Sequence, residues 1–492
     1  MVKPTQIVPK IPLLLGAIAL LTNCATVPNA PGTETLSEAW PDASPSAAQQ
    51  SNANSRSPTG PIQVYFNYNP DAEFTDPYRH IQRPGDDFEQ ILADAINQAT
   101  RTVDVAVQEL RLPRVAQALI DRHRAGVQVR VIVEDSYRRP WSAYSKAELD
   151  KLEPRERGRI KNYWRLGDRN NDKTVSPEER DQTDTMHMLA KAQIPVIDDR
   201  ADGSKGSGLM HHKFIIVDGQ QVLTGSANFT PSDTFGDPGR PQTRGNPNHL
   251  VAIDSTTVAA WFQQEFNTLW GDGPGGNPDS RFGITKDFQP ARTTRLGNTQ
   301  LTVHFAPAAQ TIDRAETTTG TLANALAQVQ TQADLALFVF SEQHLANTLL
   351  VPHQRGAKIR LLIDVGFAFR DYSEGLDLAG VSRPNAKSCA IEAGNRPWRP
   401  PIADFGFPTL PKGDLLHHKF AVLDGKTVIA GSHNWSKAAA RVNDETLIVI
   451  EDSAIAQQFQ REFDRLMSTA KLGIPKNVKD KIKRLHQQCR RR

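Results

Sequence analysis

The apolar and polar positions of this chain repeat in a fixed order, and the order occurs twice. Short apolar runs rich in β-branched residues alternate with longer segments whose apolar positions recur at helical spacing. That alternation is the pattern of an α/β unit, a sheet covered by helices. The runs fall into pairs: Ile62–Phe66 with 301–305, 103–107 with 333–337, and 126–133 with 356–363. Helical segments pair as well, Phe262-Gln-Gln-Glu-Phe266 with Phe459-Gln-Arg-Glu-Phe463. The expected architecture is therefore two related lobes, 62–270 and 300–470, joined by a Gly- and Pro-rich linker at 271–299.

The sharpest repeat is HHKFIIVDGQQVLTGSANFT at 211–230 and HHKFAVLDGKTVIAGSHNWS at 417–436. Both read H-x-K, four residues, Asp, six residues, then G-S-x-N. In each, Asp-Gly separates two apolar runs, a strong hairpin signal. An antiparallel hairpin sets His211 and Lys213 beside Ser226 and Asn228, and His417 and Lys419 beside Ser432 and Asn434. Asp218 and Asp424 fall at the turns. At about 3.3 Å per residue they lie roughly 16 Å from the lysines, which gives them a structural role. Each open end gathers an imidazole, an ammonium, a hydroxyl and an amide: a nucleophile or proton carrier among donors for an anion. His212 and His418 alternate to the other face and are expected to pack.

These doubled motifs resemble the phospholipase D superfamily over about 62–470. The resemblance implies two pseudo-symmetric lobes with one active site at their interface. It implies a phosphoric diester hydrolase in which one histidine forms a phosphohistidine and the other protonates the leaving alcohol. Lys213, Lys419, Asn228 and Asn434 would hold the phosphate, with Ser226 and Ser432 assisting and no metal in the chemistry. The family's acid after the motif falls on Glu445 and is expected to orient His417. The first half offers Asn248-His249 at the matching place, leaving His211 without such a partner and suited to be the nucleophile.

Composition enters through compartment and substrate. The net charge is only +3, so no global field demands nucleic acid. Lys3 and Lys10 precede an apolar run at 11–21 that is too short to span a bilayer, the form of a signal peptide over 1–23. It ends in Leu-Thr-Asn-Cys24, which resembles a bacterial lipobox with Cys24 lipid-modified. Residues 24–61, rich in Ala, Pro, Ser and Asn, read as a tether. The expectation is an exported lipoprotein facing periplasm or cell surface, with membrane phospholipid as substrate and no required oligomer. A nuclease cutting single-stranded DNA or RNA by the same chemistry is the alternative, and cardiolipin synthase-like transfer a third. Cys389 and Cys489 are the two remaining cysteines; in an oxidising compartment they either pair or stay free.

Two segments lie outside the repeat. The first half is longer before its motif, 87 residues from Gly126 to Lys213 against 63 from Gly356 to Lys419. The excess coincides with Asp168, Asn170, Asp172, Thr174, Ser176 and Glu179, oxygen residues at calcium-loop positions 1, 3, 5, 7, 9 and 12. Lys173 stands where such loops carry glycine. A structural calcium is expected there. From Lys471 onward the chain carries nine Lys or Arg and one Asp, with Ile474, Val478, Ile482 and Leu485 on one helical stripe. This basic amphipathic tail suits either an anionic membrane or docking on the protein.

Overall fold

A computed structural model describes residues 60–204 and 208–491, all within one compact unit. The signal segment, Cys24 and all but the last two residues of the tether lie outside the described residues. Among the described residues no helix is long and apolar enough to cross a membrane.

Two sheets carry the fold. The first runs Ile62–Phe66, His249–Asp254, Gln221–Gly225, Lys213–Val217, Thr102–Val107, Gln128–Val133, Val196–Asp198. The second runs Arg292–Leu296, Thr299–Ala306, Glu445–Glu451, Thr427–Gly431, Lys419–Leu423, Gln332–Leu337, Lys358–Ile363, Asp404–Phe407, Lys471–Leu472. Its middle seven strands repeat the order of the first sheet, so the sequence repeat is a repeat of topology. Parallel pairs such as Thr102–Val107 with Gln128–Val133 need a crossover, and the helix Pro113–Arg124 supplies it. Both motifs form antiparallel hairpins.

Each motif's first strand is buried along its whole length, because both faces are covered. Outer helices cover one face, with Leu119 and Ile215 in one such core and Leu349 and Ala421 in the other. The inner faces share a single core across the lobes, in which Phe214, Phe262, Phe305, Phe420 and Phe459 meet. Phe66 of the first sheet packs edge-on against Phe459, and Phe262 against Phe305, at ring separations of 5.1 and 5.0 Å. The helices Thr256–Trp270 and Ser453–Ser468 bring these phenylalanines in, capped by Ser255 and Asp452. The outer side of each inner helix is fixed the same way. Asp104 pairs with Arg130, which lies over Phe266, and Asp334 pairs with Arg360, which lies over Phe463.

The structure departs from expectation at the linker and settles two open points. Residues 271–299 are not a free linker: Arg292–Leu296 pairs with Thr299–Ala306 as an edge hairpin. Lys286 of the same stretch is buried between Glu265 and Asp444, a neutralised group that ties the segment to both lobes. The tail helix Lys476–Cys489 buries Ile482 in the second lobe's core with Val478 packed against it, and Leu485 is buried as well, so its apolar stripe is spent on the protein. Cys389 and Cys489 form a disulfide that fastens the helix end.

Candidate active site

The two hairpins deliver their open ends to one cavity of about 390 Å³, lined by His211, His417, Asn228 and Asp233 among others. His211 and His417 are 7% and 8% exposed, Lys213 and Lys419 only 1%. Each ammonium donates to the carbonyl of the histidine two residues before it, Lys213 to His211 at 2.8 Å and Lys419 to His417 at 2.7 Å. The H-x-K spacing does this, since residues two apart in an extended chain share a face. Lys419 also sits 5.2 Å from the ring centre of Phe338. Asn228 and Asn434 each bury a side-chain carbonyl oxygen that has no hydrogen-bond partner among the described residues. With the amide turned over, the same positions offer N–H donors.

Asp218 and Asp424 lie at the far turns. Asp218 accepts from the backbone N–H of Thr100, Arg101 and Thr102, at 2.7 to 2.9 Å. Asp424 accepts from Gln330, Thr331 and Gln332 in the same way. Both residues sit at φ +52°, so the turn pins the hairpin to the strand beside it.

The acid expected to serve His417 serves the other histidine. Glu445 Oε2 accepts from His211 Nδ1 at 2.7 Å, across the lobe interface. His417 Nδ1 faces the Asn248 side-chain oxygen at 3.0 Å. The physical reason is that the hairpin ends meet head-on, so the residue after each hairpin reaches past its own histidine to the opposite one. Asn248 and Glu445 occupy equivalent places: each follows from the pairing of Gly225 with Leu250 and of Gly431 with Leu447.

The serines also need correction. Ser226 donates to Asn248 at 2.7 Å and Ser432 to Glu445 at 2.6 Å, while each hydroxyl accepts a strand N–H. Both residues are fully buried. They hold the groups that orient the histidines. His212 and His418 are more than packing. His212 bonds Thr446 of the other lobe at 2.8 Å and Glu265 at 3.0 Å. His418 bonds Glu462 at 2.9 Å and stacks on His249. Glu265 and Glu462 are the acids of the repeated Phe-Gln-x-Glu-Phe segment, visible in sequence but without an assigned partner there.

Burial, reinforced by Lys213 and Lys419, pushes the His211 imidazole well below its ordinary pKa. His417 is pushed down by burial, then by Lys419 and Lys213. Burial also brings Lys213 down to about 8 and takes Lys419 well below the usual lysine range, with Lys213 adding to the latter. A lowered lysine pKa means charge below that pH and none above it. KM for an anionic diester is therefore expected to rise as pH passes through about 8, with kcat less affected. Steady-state kinetics from pH 6.5 to 9.5 checks this.

The insertion reaches the cavity, which the sequence did not suggest. Its helix Pro154–Gly167 contributes Arg155, Arg159, Asn162 and Tyr163 to one wall. Arg159 and Tyr163 both bond the buried Glu109. Phe338 also lines the cavity, edge-on to His417 at 4.8 Å and packed against Phe367. Loop 168–179 follows the helix and leads into Pro177–Thr183. Lys173 takes the left-handed conformation, φ +69°, that favours glycine. Asp168 keeps one buried oxygen without a partner. The Glu179 oxygens, however, accept backbone N–H groups of Arg169, Asn170 and Ser176. Asp168, Asp172 and Glu179 are not drawn into one ligand-sized group among the described residues, whereas His212, Glu265 and Asp444 are. There the Lys286 ammonium already supplies the positive charge.

Two HxK hairpins facing one another across a shared core, with crossed histidine partners, define a phospholipase D-type centre. The family model described as "Cardiolipin synthase, PLD-like domain" matches residues 92–270 and 322–467. The chain belongs to this family, within the phospholipase D superfamily. A mitochondrial cardiolipin hydrolase of Xenopus tropicalis is 30% identical over 143 residues, 29% of this chain and 57% of that protein. A phospholipase D of Rickettsia typhi is 27% identical over 131 residues, 26% of this chain and 53% of that protein. The chain thus spans little more than half the length of these relatives. Among solved structures, the phosphatidylserine synthase of Haemophilus influenzae Rd KW20 matches at TM-score 0.51 and 11% identity. That match covers 86% of this chain and 93% of the other, and supports the fold.

Proposed function

We propose that this protein hydrolyses phospholipid head-group phosphodiesters through a phosphohistidine on His211. The observation that carries the reading is the lining of the shared cavity, into which both histidines open. Phe338, packed against Phe367, sets an aromatic ring beside His417. Arg155, Arg159, Asn162 and Tyr163 add hydrogen-bonding groups to the same lining. An amphiphilic diester offers a match for both characters. The names of the relatives, a cardiolipin hydrolase and a phospholipase D, point the same way.

In this reading His211 Nε2 attacks phosphorus while the bond to the leaving alkoxide breaks. His417 gives that oxygen its proton, then takes one from the water that cleaves the P–N bond. Lys213 and Lys419 balance the charge on the phosphoryl oxygens. Purified protein assayed side by side on phosphatidylcholine, phosphatidylglycerol and single-stranded DNA tests the substrate. Cleavage of the DNA alone would turn the Phe338 ring into a platform for bases and overturn the lipid reading. Export and lipidation at Cys24 belong to the same proposal, because they would hold the site at a membrane surface.

Calcium at loop 168–179 is a separate proposal, supported by the oxygen spacing and the orphaned Asp168 oxygen. Glu179 would have to turn from its backbone partners toward the ion. Calcium is then expected to raise the melting temperature of the native protein and not of Glu179→Gln, which keeps the helix cap. Since the preceding helix lines the cavity, chelation should raise KM more than it lowers kcat. A calcium-independent melting curve would remove the ion from the account.

A further inference from the structure

We infer that Asp233 is the positioning residue for His417, replacing out of register the carboxylate that the first half lacks at Asn248. The inference rests on the reading of His417 as the acid that protonates the leaving alcohol.

The two halves solve one problem differently. In the second half a carboxylate, Glu445, takes the Nδ1 side of the opposite histidine. In the first half the equivalent side chain is the neutral Asn248, which fixes the Nδ1–H of His417 but brings no charge. A general acid in a buried site needs charge nearby. The basic groups that bear on His417 are led by Lys419 and Lys213, and their charge opposes a second proton on its ring. Asp233 Oδ2 lies 3.7 Å from His417 Nδ1, the ion pair recorded for this imidazole among the described residues.

Asp233 has no counterpart in the other half. It is the third residue of the short helix Pro231–Thr234, after the capping Thr230. The same place in Lys437–Arg441, after the capping Ser436, is Ala439. A carboxylate is thus present on the side where the strand position has lost one, and absent where the strand position has kept one. The group is 3% exposed, so its charge is little screened. Its aim is fixed: Oδ1 accepts from Asn246 Nδ2 at 2.6 Å, and Oδ2 from the Asn228 N–H at 2.9 Å. Asn246 in turn accepts from the Leu415 N–H at 2.8 Å, two residues before His417. These bonds link the carboxylate to the chain just before His417.

The division of labour follows. Asn248 sets the tautomer of His417, and Asp233 stabilises the imidazolium that the first step needs. That step transfers the Nε2 proton of His417 to the leaving oxygen as the P–O bond breaks, so its demand on Asp233 scales with the basicity of that oxygen.

The test compares a p-nitrophenyl phosphodiester, whose leaving group needs little protonation, with a diester losing an alkyl alcohol. Asp233→Asn removes the charge and keeps one acceptor oxygen, for the Asn228 N–H, while its N–H₂ replaces the oxygen that accepts from Asn246. It should lower kcat on the alkyl diester by about 10- to 100-fold and change the aryl rate by less than about 3-fold. The basic limb of the alkyl pH profile should move to lower pH. Asn248→Glu in the Asp233→Asn background should recover most of the loss, because it returns the charge to the strand position. Equal losses on both diesters, an unmoved pH limb, or no recovery in the double variant would leave Asp233 as loop support only. Histidine ¹⁵N titration keeps this distinct from the activity itself. If the native protein cleaves neither diester, the phosphodiesterase reading fails. The His417 titration must still fall in Asp233→Asn, and rise in Asn248→Glu, for the positioning role to stand.

Discussion

With an activated aryl phosphodiester, His417→Ala should still accumulate a phosphohistidine on His211, while His211→Ala should accumulate none. The geometry behind this is the His211–Glu445 pair, 2.7 Å apart and out of water. A carboxylate on Nδ1 holds the N–H there and leaves the Nε2 lone pair free for phosphorus. It also compensates the positive charge that the ring acquires once Nε2 is phosphorylated. Burial adds to this by keeping the free imidazole neutral. His417 has an amide in the same place, and its nearby carboxylate, Asp233, stands off at 3.7 Å rather than in a hydrogen bond, a weaker support for a phosphorylated cation. His211→Ala should therefore reduce turnover to background, on the order of 10⁵-fold or more. His417→Ala should cost about 10²- to 10⁴-fold with an alkyl leaving group, and little in the first step with p-nitrophenolate. Quenched-flow trapping and peptide mapping of the adduct decide it; an adduct on His417 with His211 absent reverses the roles.

The sequence carried the fold because the repeat is written at two scales, the strand and helix order and the H-x-K hairpin. A hairpin is local, so its register and the grouping of His211 with Lys213 and of His417 with Lys419 follow from spacing alone. What spacing does not carry is which side chain meets which across the lobes. Glu445 lies 28 residues from His417 and 234 from His211 in the chain, yet it bonds the distant one. The serines' partners lie on a neighbouring strand rather than in the motif, so motif spacing does not show them. Asp233 does carry a sequence signal. Setting the two capped turns side by side, Thr230 to Asp233 against Ser436 to Ala439, shows a carboxylate on one side only. The insertion's role at the cavity had no signal at all, since nothing in 154–167 marks the face of that helix that meets the site.

Glu445→Gln separates the two pairings most directly, and the expected result is loss of adduct formation itself. Had Glu445 served His417, the variant would lose protonation of the alkoxide and leave attack on an aryl diester almost intact. With Glu445 on His211, glutamine keeps the shape but withdraws the charge opposite the nucleophile. With its oxygen in place it still accepts from Ser432; turned over, it presents N–H₂ toward both Ser432 and His211 Nδ1. The ring then favours the tautomer with hydrogen on Nε2, which cannot attack. Changing a comparable buried acid to its amide in the serine protease triad costs about 10⁴-fold, and a loss of about 10²- to 10⁴-fold is expected here on aryl and alkyl diesters alike. Asp233→Asn provides the contrast, since its loss depends on the leaving group. Burst amplitude and rate with the p-nitrophenyl diester read the difference: Glu445→Gln should slow the burst, and a burst of native rate followed by slow turnover would return Glu445 to His417.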